Sequence, residues 1–277
     1  MAEDNADRYQ AKTGIVVVLD ALGIRNLSIA ESIGFLETRD LLLRTLTGLG
    51  EWACEARRAM CDDVEEYGVI QEHTVMTFGD TIIVSWELPE SSIVGIDLWL
   101  VSRWLNDLMF VAMLDGVALR GAVSVGKYLS DLNTNTIVGP ALTDAVAWSE
   151  RGDWLGVVAT PSCGLHLDSA ASLEVLDPFA NIAFCKYVMP VNGETSERWV
   201  LSWPVMFLER SKYMKSSGEA QLLEILKEFP IPYGTEKKYD NTLRFFRWYR
   251  DEMYPSLEPQ FTSAFSGWRQ PSRGSDV

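Results

Sequence analysis

The run Ile15-Val16-Val17-Val18-Leu19 constrains the fold more than any other stretch of the chain. Consecutive apolar residues rich in β-branched valine predict a strand buried on both faces of a sheet. The run ends in Asp20, where β-propensity would not select a carboxylate. Burying that charge is costly unless it is paired or holds a metal. A second aspartate, Asp80, sits in the Gly79-Asp80 step between two strand-like segments, Val75-Met76-Thr77-Phe78 and Ile82-Ile83-Val84. Taken singly, Gly79-Asp80 is an ordinary hairpin turn and Asp20 a turn-capping carboxylate. If the hairpin lies beside the first strand, both carboxylates converge on one hard-cation site.

Periodicity supplies the rest of the layout. A short helix is expected over Ser28 to Phe35. A longer one carries Leu42, Leu46, Leu49, Ala53, Ala56 and Met60 as a single stripe. Ser91 or Ser92 caps a buried helix bearing Ile93, Ile96, Leu100, Trp104, Leu108 and Val111. A long strand follows from Val117 to Tyr128 and contains Arg120. Then come a polar turn at Asn133 to Asn135, a short strand at Ile137-Val138, and a helix opened by Gly139-Pro140 and running from Ala141 to about Glu150. Leu155 to Ala159 reads as a further strand. This order predicts an α+β fold, a mixed or antiparallel sheet with helices packed on it, and not a doubly wound parallel sheet. Residues 1–12 read as a flexible tail, 13–205 as the main domain, and 206–277 as a helical extension with its own tail. Gly218 to Phe229 and Lys237 to Met253 are the helices of that extension.

Charge narrows the functions open to such a chain. Lys and Arg number 24 against 39 acids, a net of -15. Nucleic-acid and anionic-membrane binding need a positive footprint and are not expected. The basic and aromatic segment Arg244 to Arg250 does not change this, because residues 236–252 hold five basic and four acidic side chains. A small polyanionic substrate remains open where metal ions bring positive charge locally. Cys54, Cys61, Cys163 and Cys185 form no close CxxC pair, so structural zinc is not expected. No signal-peptide core and no membrane-length apolar run is seen, so a cytoplasmic protein is expected.

From about Thr13 to Trp203 the chain resembles the catalytic domain of class III nucleotidyl cyclases. The carriers are Leu19-Asp20-Ala21-Leu22-Gly23, the hairpin Gly79-Asp80, Leu119-Arg120-Gly121-Ala122-Val123-Ser124-Val125-Gly126, and Gly139-Pro140-Ala141-Leu142-Thr143-Asp144-Ala145. The resemblance implies a ferredoxin-like palm and two divalent cations, Mn2+ or Mg2+, held by Asp20, Asp80 and the Ala21 carbonyl. It further implies Arg120 on the substrate phosphates, with Lys186 a weaker phosphate candidate, and a homodimer with composite active sites.

Departures from the family pattern bear on the base. The positions that contact a purine are Met76 and Thr136 here, and neither carries charge. The helix positions of an Asn and a transition-state Arg are Thr143 and Ala147, or Asp144 and Trp148, depending on a one-residue gap. Arg151 is the candidate replacement. Within the family the chain is most similar to the pyrimidine cyclases of bacterial anti-phage Pycsar systems. That likeness implies UTP, or else CTP, as substrate and a cyclic nucleotide read by a separate effector. A cytidylate or purine cyclase and a non-catalytic nucleotide-binding scaffold stay open as alternatives. A cyclic dinucleotide synthase is disfavoured, because Phe78-Gly79-Asp80-Thr81 lacks an adjacent second acid.

Overall fold

The computed structural model describes residues 11–22, 36–37, 40, 73–90, 92, 94–171, 183–212, 216–229 and 234–258. The two helices expected between Ser28 and Met60, and the tail beyond Pro259, lie outside the described residues. The strands are β1 (Lys12–Leu22), β2 (His73–Phe78), β3 (Thr81–Glu87), β4 (Ala118–Asp131), β5 (Thr136–Val138), β6 (Val157–Ala159), β7 (Phe184–Val191) and β8 (Glu194–Leu201). They form one sheet in the order β2-β3-β1-β4-β6-β8-β7, with β5 on β4. The β4–β6 pair is parallel and every other named pair is antiparallel, so the sheet is mixed. The expected α+β class is what the chain forms.

β1 lies between β3 and β4, and both of its faces are covered. Ile15, Val17 and Leu19 belong to the larger core, and Val16 and Val18 to a smaller one on the opposite pleat. Helix α1 (Val94–Leu114) supplies Leu98, Val101, Leu105 and Met109 to the larger core. Ahead of it, the Ser92 hydroxyl bonds the Asp97 carboxylate in the first turn. Helix α2 (Pro140–Ser149) presses Ala141 and Ala145 onto the smaller core beside Val16, Val18, Met76 and Tyr128. It starts at Gly139 because φ there is 137°, and a Cβ would lie 2.7 Å from the Tyr128 Cα. Proline at the first helical position costs no hydrogen bond.

Several elements were not anticipated. Helix α3 (Pro161–Ala171) is capped by Thr160, whose Oγ1 accepts from the Cys163 N–H at 3.4 Å. The β7–β8 hairpin turns on Asn192 and Gly193, both at positive φ, 48° and 84°. Strand β6 is shorter than expected. The Leu155 N–H donates to Thr242 Oγ1 at 2.8 Å instead of joining a ladder.

Helices α4 (Pro204–Ser211), α5 (Gly218–Glu228) and α6 (Glu236–Trp248), the last continuing as a π turn over Tyr249–Met253, share the larger core through Phe207, Leu222, Phe245 and Phe246. The helix expected over Lys237 to Met253 is α6 with its π continuation. Phe245 meets Trp154 at 4.7 Å and Tyr187 at 4.8 Å between ring centroids. No helix among the described residues is long and apolar enough to cross a membrane.

Candidate functional site

Strand register brings the two aspartates together. On β1, Asp20 is opposite Thr81 of β3 on one side and Arg120 of β4 on the other. Asp80 precedes Thr81 in the β2–β3 turn, so it falls beside Ala21, whose N–H donates to the Asp80 carbonyl at 3.1 Å. The hairpin thus lies against the first strand, and the carboxylate-bearing residues occupy adjoining strand ends. Gly79 turns the chain there with φ of 61°.

Arg120 closes on Asp20. Its Nε and Nη2 donate to the same oxygen, Oδ2, at 3.0 and 2.9 Å. Its Nη1 reaches the Glu150 carbonyl, at the C-terminal end of α2, at 3.5 Å. Carbonyls at a helix C-terminus carry partial negative charge, so this end of α2 suits a guanidinium. The Asp20 side chain is 23% exposed and the Arg120 side chain 17%, so the pair is largely buried with some contact to solvent.

The donor set fits a hard divalent cation. Asp20 and Asp80 offer carboxylate oxygens on neighbouring strands, and magnesium is commonly held by one or two carboxylates together with substrate phosphates and water. Among the described residues no three His, Cys, Asp or Glu side chains cluster. The free thiols Cys163 and Cys185 are buried, and burial pushes both up.

The other predicted residues have different surroundings. Met76 is 2% exposed and packs in the smaller core. Thr136 is exposed on β5, and its Oγ1 donates to the Thr134 carbonyl at 3.2 Å. Thr143 is spent on its own helix, donating to the Gly139 carbonyl at 3.1 Å. Asp144 accepts from Ser162 Oγ at 2.9 Å and Ser124 Oγ at 3.3 Å. Trp148 is buried, with the Arg151 and Arg198 guanidiniums over its ring at 5.1 and 5.2 Å. Lys186 on β7 pairs with Asp168 at 2.8 Å. It is four strand positions from β1, roughly 19 Å, so it does not reach the aspartates.

Two features were not read from the sequence. One is the hydroxyl network of Ser124, Thr160 and Ser162 around Asp144, for which the Thr160-Pro161 helix-start signal was available. The other is Lys238, on the first turn of α6. Burial and then the nearby Arg120 guanidinium push its ammonium below the usual lysine range, while Asp153 and Asp20 oppose the shift. Nothing in the local pattern marks Lys238, because only the docking of α6 places it.

Fold and site together define an α+β protein with two aspartates and an arginine at the adjoining ends of its central strands. No protein-family model matches the chain, and no curated protein matches it. Among solved structures it is similar to the adenylyl cyclase CyaB from P. aeruginosa, at 13% identity and a TM-score of 0.40, over 69% of this chain and 93% of that one.

Proposed function

We propose that the chain is a metal-dependent nucleotidyl cyclase acting on a pyrimidine nucleoside triphosphate, with UTP favoured. The observation that carries the reading is the register placing Asp20 opposite Thr81, with Asp80 beside Ala21 and Arg120 on the Asp20 carboxylate. Asp20, Asp80 and the Ala21 carbonyl would hold two divalent ions, Mn2+ or Mg2+. Such ions, when bound, acidify the ribose 3'-hydroxyl and neutralise the triphosphate. In the reaction the 3'-hydroxyl gives its proton to solvent, its oxygen forms a bond to the α-phosphorus, the bond from that phosphorus to the α–β bridging oxygen breaks, and pyrophosphate leaves with the electron pair. The protein's own task is positioning and charge. Asp20 and Asp80 set the end of the site where the ends of β1 and the β2–β3 hairpin adjoin. Arg120 would keep its Nη1 on the Glu150 carbonyl and exchange its hold on Asp20 for the phosphate oxygens.

The pyrimidine assignment rests on the resemblance and on the absence of charge at Met76 and Thr136. A homodimer and a cyclic nucleotide serving a separate anti-phage effector belong to the same reading. A second reading, a nucleotide-binding scaffold without turnover, is favoured by one feature. Asp144 is committed to two serine hydroxyls and no Asn–Arg pair stands on α2.

The test is incubation of the purified protein with manganese and each of the four common ribonucleoside triphosphates, products read by mass spectrometry, beside Asp80→Ala. A cyclic pyrimidine monophosphate from the wild type, lost in Asp80→Ala, is the expected result. Cyclic AMP or GMP would overturn the base assignment. Triphosphate binding without pyrophosphate release would move the protein to the scaffold class.

A further inference from the structure

We infer that Lys238, in the C-terminal extension, reaches into the Asp20–Arg120 site and contacts the phosphates of the bound polyanion. The inference rests on the nucleotide reading above and extends the site to an element outside the cyclase-like segment.

The geometry begins with the anchors of α6. Asn241 Nδ2 donates to the Asp153 carbonyl at 2.8 Å, and Thr242 Oγ1 takes the Leu155 N–H at 2.8 Å. Thr242 Oγ1 also donates to the Lys238 carbonyl at 2.6 Å, which ties the first turn to the second. Positions three and four apart share one helix face, so Lys238 lies on the face defined by Asn241 and Thr242. That face is held on the segment from Asp153 to Leu155. The same segment follows Glu150, whose carbonyl holds Arg120.

Three described charges, Arg120, Asp153 and Asp20, are near enough to act on the Lys238 ammonium. Two cations brought close together cost energy unless an anion is shared between them. Arg120 is committed to Asp20 and Glu150, whereas Lys238 has no side-chain hydrogen bond or ion pair among the described residues. It is the cation able to turn to an incoming phosphate without breaking a contact. In a chain of net charge -15, such local positive potential has to be built residue by residue.

The experiment compares wild type, Lys238→Met and Lys238→Arg. It measures KM and kcat for the triphosphate that the wild type converts, inhibition by pyrophosphate, direct triphosphate binding, and Tm. Loss of one charged hydrogen bond predicts that Lys238→Met raises KM and weakens pyrophosphate inhibition about tenfold. Lys238→Arg should recover most of both, with Tm unchanged. Wild-type binding that Lys238→Met leaves intact would overturn the role of Lys238 and spare the nucleotide reading. Equal losses in the Met and Arg variants, accompanied by a lower Tm, would assign the residue to the docking of α6 and also overturn the inference. A wild type that binds neither triphosphate nor pyrophosphate would overturn the nucleotide reading, and this inference with it.

Discussion

Arg120 owes its place to a glycine. Its neighbour Gly121 sits where a Cβ would lie 2.3 Å from the Val18 carbonyl oxygen and 2.7 Å from Leu19 Cδ2, so β4 approaches β1 closely only because that atom is missing. The approach matters because Asp20 and Arg120 are opposite each other in this same strand pair. Gly121→Ala is expected to push the strands apart and to destabilise the fold by about 1–3 kcal/mol. Urea denaturation checks this, and an unchanged midpoint would show that the strands can yield without cost. The sequence offered Gly121 as part of an Arg-Gly pattern. That the glycine is required by a carbonyl more than a hundred positions away could not be read locally.

At the scale of elements, the extension is tied internally by charge and to the sheet by aromatic packing. Glu219, in the first turn of α5, accepts from Arg247 Nε at 2.8 Å and is also bonded by Arg250. The Arg247 hydrogen bond is the largest influence holding its carboxyl below the ordinary value of 4.5, against a smaller opposing effect of burial. The sign follows from linkage: the folded form binds its proton less readily than the unfolded chain. The stabilisation is therefore complete above about pH 4.5 and disappears as pH falls through the lowered folded value. Solvent screens the pair, so its worth is under about 1 kcal/mol. Wild type and Glu219→Gln should differ in unfolding free energy at pH 7 and converge once the pH lies below the lowered folded value. A difference that persists in acid would show that the glutamine costs stability through packing.

On the scale of the molecule, the helices after Pro204 complete the same hydrophobic core as the sheet. Phe245 has no exposed surface and touches rings from the β6 approach, β7 and the segment after β8. Phe245→Ala is expected to cost about 3–5 kcal/mol, read as one cooperative unfolding transition. A separate low-temperature transition of the extension alone would contradict a shared core. What the sequence determined by itself was whatever depends on near neighbours. The two-faced burial of Ile15 to Leu19, the Gly79-Asp80 hairpin, the Asn133 to Asn135 turn, and the Gly139-Pro140 helix start all follow from side-chain period and φ preference. The Asn192-Gly193 turn and the Thr160-Pro161 helix start rest on equally local signals. What only the tertiary structure decided depends on distant partners: the clasp of Arg120 on Asp20, the trimming of β6 by Thr242, the commitment of Asp144 to two serines, and the charges that act on Lys238. Backbone pattern is set within a few residues, whereas a side chain's charge environment is set by whichever strands and helices the core packs against it.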